Sequence, residues 1–278
     1  MALRFNHKPG LVVYLTAGDP SLEGTRAIAL AAIDAGADVI ELGVPFSDPL
    51  ADGPIIQRAS ERALARGVRL KDVLALAADI RAARPAAGLI VFTYFNPVLR
   101  YGLHRFVDDA AAAGADGALI TDMIVEEAGE YLAEMDRAHL APVFLAAPTS
   151  PDERLQAIAA HSKGFVYAIS RVGITGTQQS VAADAAALVA RIRRWTTLPV
   201  AVGFGISNAD HFAQVAEFAD AAAIGSAIVE LIEKTASGTG SETGVPAERS
   251  SSAGWQSAPD AVARFIRGLR MPHPALAR

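Results

Sequence analysis

The sequence predicts that residues 1–278 form a single domain, a (β/α)8 TIM barrel. Short apolar runs alternate with longer, alanine-rich amphipathic stretches, as strands alternate with helices in α/β proteins. Eight such units fit into about 250 residues, the usual size of this barrel. The apolar runs are nearly continuous, which is typical of parallel strands covered on both faces. A doubly wound sheet is the alternative that shares this alternation.

The strands are predicted where apolar runs lie between Gly, Asp and Pro. They cover residues 11–18, 38–44, 88–95, 117–122, 141–147, 164–170, 199–205 and 221–227. The helices are predicted at 21–35, 54–66, 70–84, 102–113, 126–137, 152–161, 181–194, 208–218 and 259–270. Ser21 and Ser207 stand where N-caps are expected, and Pro54 suits a first helical position.

Residues 235–258 break the alternation. Ser, Gly and Thr dominate this segment, and its apolar content is too low for it to be buried. We expect a mobile loop before the last helix.

Composition and charge exclude several functions. The net charge is −5 without a basic cluster, so nucleic acid is not an expected partner. The absence of cysteine excludes disulfides, thiolate metal sites and a cysteine nucleophile. No apolar run reaches the roughly 18 residues of a membrane helix, and the N-terminus lacks the apolar region of a signal peptide. A cytoplasmic location is therefore expected, with no membrane partner.

Glycine-rich loops follow three neighbouring predicted strands, at residues 170–176, 203–207 and 224–230. Glycine lets backbone amides approach an anion closely. A helix that begins at Ser226 would direct its free N–H groups toward the same place. Loops of this kind form the common phosphate site of the barrel, so we expect a phosphorylated ligand.

A Schiff-base mechanism and a metal site are not expected. A Schiff base needs a lysine near the substrate carbonyl, and no lysine lies at the C-terminal end of a predicted strand. The histidines are scattered over helices and termini, without the clustering of metal ligands. The lysines are Lys8, Lys71, Lys163 and Lys234.

The stretch ELGVPFSDPLADGP, residues 41–54, carries the candidate acids. Because side chains alternate along a strand, Glu41 shares a face with Val39 and Gly43. In an apolar barrel mouth, burial would raise the pKa of Glu41 and make it a proton donor. Asp52 follows on a loop, where it is expected to stay ionised and to divide acid and base duties with Glu41.

Structural roles are the alternative for each of these side chains. Glu41 could be a buried partner of a backbone group, and Asp52 could cap a turn. Asp48, which precedes Pro49, is interpreted as a turn residue. Tyr167 lies on the same strand face as other apolar residues, so it is either a core tyrosine or a hydrogen-bond donor to a carboxylate at the barrel mouth.

Several motifs together resemble the tryptophan synthase alpha chain family. They include the stretch 41–54 with IIQRAS after it, and they recur in the family's order from about residue 11 to 233. The other motifs are YLTAGDP (14–20), TYFNPV (93–98), SRVGITG, VGFGIS and IGSAIV. The resemblance implies a lyase of tryptophan biosynthesis that cleaves indole-3-glycerol phosphate to indole and glyceraldehyde 3-phosphate.

The resemblance also implies roles for single residues. Glu41 would protonate the indole ring and assist proton removal from the glycerol hydroxyl. Asp52 would accept the indole N–H, with Tyr167 as the third catalytic residue. The implied substrate-binding residues are Tyr14, Tyr94, Thr175, Gly176, Gly203, Gly205, Gly225 and Ser226.

A partner is implied in the same way. The family's alpha subunit pairs with a pyridoxal-phosphate beta subunit in an α2β2 heterotetramer, and residues 45–54 would lie where that partner docks. The chain itself would need no cofactor. A stand-alone lyase, a non-catalytic barrel that activates a beta subunit, and a barrel isomerase remain alternatives. Against the family pattern, there is little room for a helix before Leu11, and Ile124 replaces a usual proline.

Overall fold

The structure is a computed structural model that describes residues 3–169, 178–203, 205–236 and 255–270. Within these ranges the chain forms nine strands and eleven α-helices. None of the helices described has both the length and the apolar character that crossing a membrane requires.

All the strand pairs are parallel and belong to one nearly closed sheet, in the order β5-β4-β3-β2-β1-β9-β8-β7-β6. The strands are β1 (Gly10–Thr16), β2 (Val39–Gly43), β3 (Gly88–Thr93), β4 (Gly117–Ile120), β5 (Ala141–Val143), β6 (Leu145–Ala146), β7 (Val166–Ile169), β8 (Val200–Gly203) and β9 (Ala221–Ile224). β5 and β6 are two parts of one predicted strand, interrupted at Phe144. The predicted barrel is confirmed.

Helices follow the strands and surround the barrel. They are α1 (Leu22–Asp34), α2 (Pro54–Ala65), α3 (Leu70–Ala83), α4 (Phe95–Tyr101), α5 (Leu103–Ala112), α6 (Gly129–Arg137), α7 (Asp152–His161), α8 (Gln178–Ile192), α9 (Ala209–Ala216), α10 (Ser226–Ala236) and α11 (Ala258–Leu269). The two helices predicted after β2 are both present. Of the predicted mobile loop, residues 237–254 lie outside the described part of the chain, while 235 and 236 complete α10.

Two predicted helix caps and one additional helix can be compared with the structure. Ser21 caps α1 as predicted, because its side chain accepts the Gly24 N–H. The prediction that Ser207 caps the helix after β8 is wrong. Asn208 is the cap, and its side chain accepts the His211 N–H. The short helix α4 was not predicted, and it ends at Gly102, whose φ of +93° separates it from α5.

The apolar residues form an outer and an inner core. The outer core lies between the sheet and the helices, and the inner core fills the barrel. The chain before β1 closes the bottom of the barrel without a helix: Leu3 and Phe5 pack against the inner core, with the Phe5 and Phe165 rings 5.8 Å apart. These two side chains occupy the place where the family resemblance implied a plugging helix.

Three aspartates join neighbouring strands at the bottom rim. Each directly precedes a strand, accepts a backbone N–H from the start of the neighbouring strand at 2.9 Å, and contacts an arginine. The sets are Asp38 with Leu11 and Arg270, Asp116 with Leu89 and Arg81, and Asp220 with Val200 and Arg193. These contacts satisfy N–H groups that begin the parallel ladder.

Replacing Asp116 with alanine should lower the free energy of unfolding by about 2 to 4 kcal/mol, because the buried Leu89 N–H and Arg81 each lose a partner. Urea unfolding followed by circular dichroism would measure the change. The matched control is Asp136→Ala, which removes the exposed Asp136–Lys163 pair and should leave the urea midpoint almost unchanged. Equal effects of the two substitutions would contradict this role of Asp116.

Candidate active site

A cavity of about 500 Å³ lies at the C-terminal ends of the strands. Most of the predicted site residues line it: Tyr14, Glu41, Asp52, Tyr167, Gly203, Gly205, Gly225 and Ser226. Tyr94 is not among the lining residues; its hydroxyl accepts the Ala51 N–H at 3.0 Å, and its side chain is hydrogen-bonded to Asp52. Thr175 and Gly176 lie outside the described residues.

Glu41 is a buried acid without a hydrogen-bond partner. The alternation of β2 turns its side chain into the barrel, where the residue is 1% exposed. Within the described part of the chain neither carboxyl oxygen has a partner. Burial raises the pKa of Glu41 to about 8, because the charged form loses its hydration. The protonated acid therefore predominates at neutral pH.

Asp52 occupies a more polar place in the same cavity. It lies on the loop between β2 and α2, and Gln57 of the first turn of α2 donates to its backbone carbonyl at 2.8 Å. Burial raises the pKa of Asp52 to about 6, while a hydrogen bond with the Tyr94 side chain partly opposes the rise. At neutral pH Asp52 is mostly ionised, so one cavity holds an acid and a carboxylate.

Glycines position the two tyrosines of the cavity. A Cβ atom on Gly43 would lie 2.2 Å from the Tyr14 hydroxyl, and one on Gly203 would lie 2.8 Å from the Tyr167 hydroxyl. Burial raises the pKa of both phenols, which keeps them neutral. Tyr167 does not donate to Glu41, since both oxygens of that carboxyl group are unpaired.

Sequence reasoning missed the apolar wall of the cavity. Ile55 and Ile56 from α2 and Phe92 from β3 form it. The Phe92 ring meets Tyr14 edge-on, with centroids 5.1 Å apart. Alternation along β3, where Ile90 and Phe92 share the inward face, was the available signal. These three side chains line the same cavity as the two acids, and we call them the apolar slot.

Another part of the cavity lining is suited to an anion. α10 begins at Ser226, so its first N–H groups have no acceptor within the helix. The helix dipole places partial positive charge at the same end. Gly205, with φ of +47°, and Gly225 border this region. No group of three or more potential metal ligands occurs among the described residues.

Comparison with known proteins gives a consistent result. Residues 1–253 match the family model described as tryptophan synthase alpha chain. The chain is similar to the tryptophan synthase alpha chain of Solibacter usitatus, with 51% identity over 84% of this chain and 87% of that one. It also resembles the one from Geobacter sulfurreducens, with 47% identity over 84% and 88%.

Solved structures show the same relationship. Tryptophan synthase subunit alpha from Legionella pneumophila has a TM-score of 0.82 and 33% identity, covering 95% of this chain and 92% of that one. A chain of Mycobacterium tuberculosis tryptophan synthase has a TM-score of 0.80 and 37% identity, covering 95% and 94%.

The buried Glu41 carboxyl group should make stability depend on pH. Its pKa rises from 4.5 to about 8 in the folded chain, so its contribution is present in full below about pH 4.5 and is lost as the pH rises through 8. Between these values the free energy of unfolding should fall by about 1.4 kcal/mol per pH unit. In Glu41→Gln this component should vanish. Urea unfolding of both proteins at several pH values would test it, and equal pH dependence would contradict the burial of Glu41.

Proposed function

Because the chain belongs to the tryptophan synthase alpha chain family, lyases that cleave indole-3-glycerol phosphate to indole and glyceraldehyde 3-phosphate, we propose that Glu41 and Asp52 catalyse this cleavage here. The observation that carries the proposal is the pair itself. A buried, unpaired acid and an ionised carboxylate share one cavity with a helix N-terminus. The apolar slot would hold the indole ring, and the N-terminus of α10 would hold the phosphate.

The first step is proton transfer to carbon. Protonated Glu41 donates its proton to the indole carbon that bears the glycerol chain, and the ring becomes cationic. Asp52 accepts a hydrogen bond from the ring N–H and stabilises the positive charge that develops. The protonated ring then serves as the electron acceptor for bond cleavage, so the step uses neither a lysine nor a cofactor of this chain.

Cleavage of the C–C bond follows, with Glu41 now acting as a base. The Glu41 carboxylate takes the proton from the hydroxyl on the carbon next to the ring. That carbon becomes the aldehyde of glyceraldehyde 3-phosphate, and the electron pair of the broken C–C bond returns to the indole. Glu41 is protonated again at the end, which completes the cycle. Tyr167 lines the same cavity as Glu41, and burial raises the pKa of its phenol so that it stays neutral.

Phosphate binding would position the substrate for these steps. The N–H groups at the start of α10, together with Gly205, Gly225 and the Ser226 hydroxyl, offer donors without a positively charged side chain. We include Thr175, Gly176 and Gly203 in this region on the family resemblance. Binding energy from the phosphate, which does not react, can be used to hold the indole against Glu41.

A beta subunit is the proposed partner. Three exposed apolar side chains lie on loops and helices at the C-terminal face: Leu50, Leu99 and Ile124, which are 95%, 61% and 43% exposed. Apolar groups clustered on one face mark an interaction surface. An α2β2 heterotetramer with pyridoxal phosphate in the beta subunit is the assembly we propose. A stand-alone lyase and a non-catalytic activator are the alternatives.

Release of indole from indole-3-glycerol phosphate, with and without a beta subunit, tests the proposed function. Wild type should turn over slowly alone and faster with the partner. Glu41→Gln should lose about 10³-fold in rate and still bind inorganic phosphate, because the amide keeps the shape of the acid. The matched control is Asp48→Asn, which changes an exposed carboxylate in the loop after β2 and should stay near wild type when assayed without the beta subunit. Full activity of Glu41→Gln would refute the mechanism.

Replacing Leu50 with aspartate tests the partner surface. The charge should weaken binding of the beta subunit by about tenfold or more, since it would be buried without a counterion. Titration of the beta subunit against indole release would measure the affinity. Trp195→Asp is the control, because Trp195 is also exposed but follows α8 at the opposite rim. Equal weakening by both substitutions would argue against this docking surface.

A further inference from the structure

Four charged side chains form a continuous ion chain between α2 and α10. Arg62 donates to both carboxylate oxygens of Asp19, at 2.9 and 2.8 Å, and to Glu233 at 2.7 Å. Arg58, one turn earlier on α2, donates to both oxygens of Glu233, at 3.0 and 2.7 Å. We call these four residues the ion chain. The catalytic steps above make no use of it.

The geometry of the ion chain is well defined. Two of its contacts are bidentate arginine–carboxylate pairs, which fix orientation as well as distance. Asp19 is buried, so its pair with Arg62 is shielded from solvent. The pKa of Glu233 is lowered to about 2, first by its hydrogen bond with Arg58, so the ion chain persists throughout the neutral pH range.

Each of the two helices that the ion chain joins begins beside the cavity. α2 begins two residues after Asp52, and Gln57 of α2 holds the Asp52 carbonyl. α10 begins at Ser226, where the phosphate is proposed to bind. Ala59 and Val229 of the same two helices pack in one cluster with Tyr14. The helices therefore meet through an apolar contact as well as through the ion chain.

The loop that carries Asp52 has few other supports. Outside the loop it is held by Gln57 of α2 and by Tyr94, whose hydroxyl accepts the Ala51 N–H and whose side chain is hydrogen-bonded to the Asp52 carboxylate. Leu50 is almost fully exposed. Of these two supports, Gln57 makes the position of Asp52 depend on where α2 lies.

We propose that the ion chain couples the phosphate site on α10 to the position of Asp52, with Glu233 and Arg62 as positioning residues. The inference rests on the proposed function. A phosphate bound at the start of α10 orients that helix, Glu233 transfers the orientation to α2 through the two arginines, and α2 places Asp52 against the indole N–H. The phosphate group thereby contributes to the chemical step as well as to binding.

Dividing the substrate into two pieces tests this coupling. The wild-type protein is given indole-3-glycerol, which lacks the phosphate, and inorganic phosphate is then added. The protein is assayed either by itself or with the beta subunit, whichever form gives the higher turnover. Added phosphate should raise the rate of indole release. In Glu233→Gln, which keeps the shape and leaves the Arg62–Asp19 pair intact, this activation should shrink at least about fivefold. The dissociation constant of inorganic phosphate should stay within about twofold.

The matched control is Asp34→Asn, the same carboxylate-to-amide change in another bidentate pair. Asp34 pairs with Arg84 between α1 and α3, at the opposite end of the barrel from the cavity. This variant should retain full activation by phosphate. Arg62→Met breaks the ion chain at its centre and should reproduce the loss seen in Glu233→Gln. Thermal melting would show which variants are folded. One folded variant out of Glu233→Gln and Arg62→Met is sufficient for the test.

Each outcome has a distinct meaning. Wild-type activation in a folded Glu233→Gln or Arg62→Met protein would overturn the coupling. Loss of phosphate binding itself would also overturn it, because the ion chain would then only shape the phosphate site. If wild type cleaves indole-3-glycerol phosphate but phosphate fails to activate the two-piece reaction, the coupling is wrong and the proposed function stands. Failure of wild type to cleave the intact substrate would refute the proposed function.

Discussion

The parallel pairing of every strand in one nearly closed sheet is the constraint on which the rest of the structure depends. It brings all C-terminal strand ends to one rim, so residues far apart in sequence, such as Tyr14 and Tyr167, line a single cavity. It brings the N-terminal ends to the other rim, where three aspartates satisfy the first N–H groups of neighbouring strands. One rim is thereby available for chemistry, while the other holds the ladder together.

That division of labour explains how the barrel tolerates Glu41. A buried carboxyl group without a partner is unfavourable, and the inward alternation of β2 fixes it in place. Because β2 is paired on both sides, Glu41 stays inside the barrel, and burial raises its pKa so that the acid is protonated at neutral pH. Asp52, on a loop at the edge of the same cavity, keeps a polar neighbour and a lower pKa. Two identical functional groups acquire different properties because one is on a strand and the other on a loop.

The barrel and the place of its carboxylates could be predicted from the sequence, because strand alternation and loop position are local properties. The rest depends on contacts between distant residues. One exception is local: Ser and Asn are both common N-caps, so the sequence leaves the choice between Ser207 and Asn208 open. Gly43 matters because Tyr14 of another strand lies over it, and Glu233 reaches Arg62 across 171 residues. The two residues of each pair lie too far apart in sequence for a local pattern to reveal their contact.

Arg270 and the residues just before β1 meet at the bottom of the barrel. Arg270, at the end of α11, donates to the carbonyl of Pro9 at 3.2 Å and to that of Gly36 at 2.8 Å, and α11 packs along α1. During synthesis on the ribosome, all nine strands and every described residue that lines the cavity emerge before α11. A nascent chain that stops there can form every strand pair, yet α1 still lacks the helix that packs along it. The outer layer of helices is therefore completed by a segment that contributes none of the lining residues of the cavity.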